Sequence, residues 1–252
     1  MTVSTAPHTR TAAETEDWQD WRRRREAEVI GEHGIAALTD AVWLDETPQT
    51  IPGLPGTWSS QQGQARHDDG PHQRLLAVGD SHRFGHVLVR VAGWQGGVAV
   101  RVFDPAAPAR TELTGIDTFP VDDRWQITGR FEPAPAGSTQ AIQHNGVGSS
   151  ADTVAGIVRV RVADHDVALL AFPASDGRLQ ITFADTASEQ PGRFRFLTLP
   201  RPEQDGTVPV DLNRAYLPPC TFSDHYLCPW PPPQNRLPFA MTAGESGVIR
   251  LR

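Results

Sequence analysis

Residues 87–103, V-L-V-R-V-A-G-W-Q-G-G-V-A-V-R-V-F, decide the fold class. Two valine-rich runs, each alternating with other residues, flank a short glycine-rich join, the pattern of an antiparallel hairpin. The same texture recurs along the chain. Runs at 125–131, 156–162, 167–172, 179–183 and 194–199 are each bounded by Gly, Pro or Asp. P-A-S-D-G at 173–177 reads as a second hairpin turn. No helical periodicity separates these runs. The expectation is therefore a mainly β protein, an antiparallel barrel or a two-sheet sandwich, with a short helical segment before it.

Upstream, residues 1–14 are rich in Thr, Ala and Ser and read as a disordered tail. Residues 17–39 read as a helix, with Trp18, Trp21, Arg25 and Val29 on one face and Glu14, Glu16 and Asp17 near its positive end. Gly31 and Gly34 interrupt it. The run Arg22 to Arg25 is expected on a solvated face beside Glu26 and Glu28. Residues 35–44 form a short amphipathic segment, followed by a turn-rich stretch. Residues 133–152 read as a loop or a poor edge strand. A single β-rich domain over 15–252 is expected, with strands at about 75–210 and a proline-rich segment at 211–245.

The chain has 252 residues and a formal net charge of −7, with no lysine among its 23 basic residues. The acidic balance argues against nucleic acid and against anionic membrane as partners. Without lysine, no Schiff-base chemistry from a lysine side chain is open to it. No run reaches the roughly 18 to 20 apolar residues needed to cross a bilayer. The N-terminus lacks the apolar core of a secretion signal, so a cytoplasmic location is expected. Dinucleotide, P-loop and H-E-x-x-H motifs are absent, and no cofactor is expected.

Functional-group side chains concentrate in 210–245, V-D-L-N-R-A-Y-L-P-P-C-T-F-S-D-H-Y-L-C-P-W-P-P-P-Q-N-R-L-P-F-A-M-T-A-G-E. Prolines mixed with aromatic and aliphatic residues point to a folded segment whose path proline fixes. It resembles the signature of the bacterial domain-of-unknown-function family numbered 1684, in N-R-A-Y-L-P-P-C, C-P-W-P-P-P-Q-N-R-L-P and A-G-E. The resemblance extends to W-R-x-x-R-E after Trp21, to V-R-V-F-D-P and F-P-V-D-D-R-W, to F-A-D-T at 183–186 and to G-R-F at 192–194. It implies a shared fold and a shared cluster of residues, and no reaction. Between Asp185 and Arg193 this chain has T-A-S-E-Q-P-G where family members carry a Tyr-Gly-Gly turn, so no tyrosine role carries over there.

Three chemistries suit the residue types in this stretch and its surroundings. Cys220, Asp224, His225 and Cys228 include metal-ligand types, with Cys220, His225 and Cys228 the alternative set. The thiols lack C-x-x-C spacing, however, and buried thiols are the simpler reading. Cys220 or Ser223 with Asp224 and His225 supplies triad residue types, but sequence neighbours seldom form a triad. The leading expectation is a pocket for a small polar or anionic molecule, lined by Arg101, Asp185, Arg193, Asn213, Arg214, Tyr216, Asn235, Arg236 and Glu245. Arginine forks match carboxylate or phosphate. An enzyme so built would be a cofactor-independent hydrolase or isomerase. The competing expectation is a non-catalytic structural or interaction module, in which that cluster only anchors the proline-rich segment.

Overall fold

The computed structural model describes residues 11–94, 96–145, 148–162, 164–187 and 194–251. Residues 1–10 of the expected tail over 1–14, and Arg193, lie outside the described residues. The first element is helix α1, Ala12–Ile30. It begins earlier than the composition suggests because T-A-A-E at 11–14 is a capping box. The Thr11 hydroxyl accepts from the Glu14 N–H at 3.2 Å, and the Glu14 carboxylate accepts from the Thr11 N–H at 2.8 Å. The helix also stops nine residues short of the expected Thr39. At Gly34 a side chain would meet the carbonyl oxygens of Glu28 and Val29 at 2.6 and 2.7 Å, so the chain folds back tightly there. From Leu38 it is already a strand. The expected stripe does face inward: Arg25 and Val29 are buried and Trp18 and Trp21 half-buried.

The chain divides into two compact units. The smaller comprises Arg24–Gly115, Pro219–Tyr226 and the C-terminal end. It holds β1 (Leu38–Leu44), β2 (Thr57–Gln61), β3 (Gln64–Asp68), β4 (Gln73–Leu76), β5 (Ser81–Phe84), β6 (Val87–Trp94) and β7 (Gly97–Phe103). Strands therefore start well before the expected position near 75. Sheet β1-β7-β6-β5 contains the 87–103 hairpin, paired Val91↔Val100 and Val89↔Val102. One face of this sheet turns Val89, Val91, Val98, Val100 and Val102 onto Trp58, Ile51 and Ala65, a core that sheet β2-β3-β4 helps to form. Period-2 alternation sends Arg90 and Arg101 to the other face, where they are direct cross-strand partners.

The larger unit comprises the chain up to Arg23, Ile116–Pro218 and Leu227–Ile249. The chain reaches it through β8 (Leu113–Thr118). The next strands are β9 (Gln126–Pro133), β10 (Thr139–Gln143), β11 (Ser149–Thr153), β12 (Gly156–Val162), β13 (His165–Pro173) and β14 (Leu179–Phe183). β15 (Arg195–Leu199), β16 (Thr207–Asp211) and β17 (Glu245–Arg250) complete the set. Six of them form the antiparallel sheet β15-β14-β13-β12-β9-β16, which curls into a half-barrel around Val158, Val160, Ile181, Leu197, Leu199, Val208 and Val210. The fold class is thus mainly antiparallel β with one N-terminal helix, as the hairpin patterns require. The polar stretch at 133–152 is itself a two-stranded ribbon, β10 with β11. No helix is long and apolar enough to cross a membrane.

In the smaller unit, burial pulls the pKa of His82 below its ordinary value, and the positive charges of Arg74 and His67 add to this. Its ring meets Phe84 edge-on at 4.8 Å. A depressed histidine pKa means that the unfolded chain takes up the proton first. Its contribution is complete above the usual value near 6.5 and is lost as pH falls through the folded pKa. Denaturant titrations at pH 7.5 and 5 should show wild type losing more stability on acidification than His82→Gln; equal losses would exclude this group as a source.

Candidate functional site

The larger unit buries a charged cluster that grows out of strand alternation. In β15, Arg195, Leu197 and Leu199 all face inward, so a guanidinium enters the core face beside two leucines. Only a full set of partners makes that tolerable. Asp185, just past β14, supplies one: its Oδ2 accepts from Arg195 Nη2. Its Oδ1 accepts from the N–H groups of Ala187 at 2.7 Å and Met241 at 3.2 Å. The other Arg195 N–H groups donate to main-chain carbonyls of Met241 (2.9 Å), Ala243 and Glu245 (3.4 Å). Phe183 and Phe119 lie beside the guanidinium at 5.4 and 5.9 Å.

Glu245 is fully buried. Its Oε2 accepts from the Leu217 N–H at 2.7 Å, and Arg22 Nη1 lies 3.6 Å from its Oε1. Arg22 also donates to the Ile116 carbonyl at 3.2 Å. The cluster is therefore two arginines against two carboxylates. The space beside Asp185, Arg195 and Glu245 has a volume of about 30 Å³. That is about one water molecule's share.

The asparagines act as substitute peptide groups. Asn235 Oδ1 accepts from the Leu170 N–H at 2.8 Å, while its Nδ2 donates to the carbonyls of Leu170 (2.9 Å) and Thr182 (2.8 Å). It bridges β13 and β14 beyond Phe172↔Gln180, the last described pair of their ladder. Asn213 treats Asp122 the same way, accepting from its N–H at 3.1 Å and donating to its carbonyl at 3.0 Å. Arg214 pairs with Asp17 and Asp211. The Tyr216 hydroxyl lies 3.1 Å from Thr198 Oγ1 and donates to Gln180 Oε1 at 3.2 Å. Arg236 is exposed.

The larger unit thus brings Asp185 and Glu245 around one small space, together with Arg195, which sequence reasoning passed over in favour of Arg193. The signal for it was available: in R-F-L-T-L, Arg195 shares the parity of Leu197 and Leu199. Of the run Arg22 to Arg25, expected on a solvated face, Arg23 and Arg24 are exposed, whereas Arg22 and Arg25, the latter on the stripe with Trp18 and Val29, face inward. Arg25 is buried under the Phe222 ring, 5.6 Å away, in the smaller unit.

Arg101 belongs to the smaller unit. Its guanidinium lies 5.6 Å from the Tyr226 ring. Arg90, directly opposite, lies 4.5 Å from the Phe103 ring. Among the described residues, no carboxylate pairs with Arg83, Arg90 or Arg101. Tyr226, Leu88, Arg83 and Arg90 line a cleft of about 440 Å³ whose other side is the end of α1, at Ala27, Glu28 and Gly31.

The alternative metal set does not assemble. Cys220 and the exposed His225 lie in the smaller unit, whereas Cys228 is buried in the larger one. There the Cys228 N–H donates to Asn145 Oδ1. Among the described residues no three His, Cys, Asp or Glu side chains gather as a metal site.

A proline-rich segment held on an antiparallel half-barrel by buried arginine and asparagine side chains defines the class of the larger unit. The family model for the proteins of unknown function DUF1684 matches residues 111–246, just over half of the chain, and the chain belongs to this family. Among solved structures, the solution NMR structure of an uncharacterized protein of Haloarcula marismortui is similar at 24% identity. That match covers 53% of this chain and 77% of the other, with a TM-score of 0.42. No curated protein matches.

Asn235→Ala should destabilise the protein by about 3 kcal/mol or more, because it strands three buried main-chain groups. Asn235→Asp should do the same, since a carboxylate cannot donate to two carbonyls. Arg236→Ala should stay within about 0.5 kcal/mol. Urea unfolding measures all three; a neutral Asn235→Ala would remove the substitute-peptide role.

Proposed function

We propose that this protein binds a small polar or anionic molecule in the cleft of the smaller unit, on the face that carries Arg83, Arg90 and Arg101. In the larger unit, Asp185, Asn213, Arg214, Tyr216, Asn235 and Glu245 serve as anchors of the proline-rich segment. This keeps Arg101 from the expected binding set and replaces its neighbours. One observation carries the reading: Arg83 and Arg90 line a cleft of about 440 Å³, Arg101 stands opposite Arg90 on the same sheet face, and among the described residues none of the three has a carboxylate partner. Ligand pockets have volumes of about 300–1,000 Å³.

Two further arguments support it. The chain's net charge of −7 makes a local basic cluster an exception to its general field. Arg90 and Arg101 also stand directly opposite each other, which is unfavourable for like charges in a sheet. Their contacts with the Phe103 and Tyr226 rings offset that repulsion only in part, and an anion between them would relieve it. All three arginines precede the residues matched by the family model, so the binding face is a feature of the other part of the chain. No reaction is assigned to it.

The test is thermal melting and calorimetry with acetate and inorganic phosphate at low ionic strength, on wild type and on an Arg90→Thr, Arg101→Thr double variant. The unliganded variant should be as stable as wild type to within about 1 kcal/mol, as lost repulsion offsets lost ring contacts. Wild type alone should be stabilised by the anions. A variant that unfolds readily, or one that responds to the anions like wild type, would assign these arginines to structure.

A further inference from the structure

The cleft has walls of opposite sign. Arg83 and Arg90 make one, with Arg101 beside them. The other is the last turn of α1, with Ala27, Glu28 and Gly31. A helix C-terminus carries roughly half a negative charge. The last turn of α1 contains no basic residue, but the Arg110 guanidinium donates to the Gly31 carbonyl at 3.0 Å, so the negative charge of this wall rests chiefly on Glu28. Glu28 adds a carboxylate, 62% exposed, which pairs with Arg25 on its own helix at 3.2 Å.

Glu28 forms no ion pair with Arg83 or Arg90, although all three line the same cleft. Opposite charges that border one space without meeting leave a gap for a molecule charged at both ends. A ligand carrying only negative charge would satisfy the arginines and place its remainder against a repelling wall. We infer that the ligand is a zwitterion of the amino-acid or short-peptide class. Its carboxylate lies against Arg83 and Arg90, and its ammonium group lies against Glu28 and the end of α1. This rests on the binding face proposed above and adds which molecules that face selects.

Isothermal titration calorimetry on the full chain tests it with three probes of one scaffold: glycylglycine, N-acetylglycylglycine, which lacks the ammonium group, and glycylglycinamide, which lacks the carboxylate. Each loss should weaken binding roughly tenfold, the scale of one charge-assisted contact. Glu28→Gln, checked for an unchanged melting curve, should bind the free and acetylated forms alike. If the acetylated probe binds wild type as tightly as glycylglycine does, the zwitterion inference fails while the anion site stands. If Glu28→Gln still discriminates as wild type does, the ammonium group is not at the helix end and the inference also fails. Should none of the probes bind, nor inorganic phosphate, both readings fall.

Discussion

The larger unit depends on one constraint: a proline-rich chain cannot satisfy itself. Proline has no N–H, and the irregular path it enforces prevents the carbonyls on either side from joining a regular ladder. Those groups need donors from elsewhere, and Arg195 provides several at once. Its guanidinium reaches the carbonyls of Met241, Ala243 and Glu245, while Asp185 balances its charge and accepts the Met241 N–H. Removing either partner would leave a buried charge and several orphaned main-chain groups together. Gly244 completes the arrangement. Its φ of 76° lies in the left-handed region, and a side chain there would meet the Ala215 carbonyl at 2.4 Å, so only glycine turns the segment into β17.

Much of this was legible in the sequence, and what was missed has identifiable causes. The strands of the 87–103 hairpin and those at 156–162 and 179–183 declare themselves because valine, isoleucine and phenylalanine alternate between clear turn signals. The start of α1 was also written, as T-A-A-E, but the Thr- and Ala-rich composition around it suggested disorder. Residues 38–44 mix small, polar and aromatic residues. Their period of two emerges only once Val42 and Leu44 are seen to face the same core. Asn213 and Asn235 were recognisable as important, but an asparagine that contacts a ligand and one that imitates a peptide group look the same in one dimension. What separates them is which distant main-chain segment lies opposite.

The proposed binding face of the smaller unit was hidden for a related reason. Arg90 and Arg101 sit on outward positions of separate strands, and each alone is an ordinary solvated arginine. Only the hairpin register makes them neighbours. Arg195 and the pair of Arg90 and Arg101 thus use the guanidinium in opposite ways. Arg195 in the larger unit is buried, paired and surrounded by acceptors. Arg90 and Arg101 in the smaller are exposed and lie beside aromatic rings, with no carboxylate partner among the described residues. The planar guanidinium suits both settings, since it forks onto oxygen atoms and lies flat on rings.

The position of the proline-rich segment in the chain has a bearing on biosynthesis. Its main chain closes against Ala184 in the stretch after β14 and against Phe196 in β15, through Asn235, Leu237 and Tyr216, and the Asn235 side chain closes on Leu170 in β13. Those strands leave the ribosome first and wait with unsatisfied edges until the segment follows. During that interval the nascent chain presents a sticky margin to its neighbours, so the step most exposed to aggregation falls between the synthesis of β15 and that of the segment.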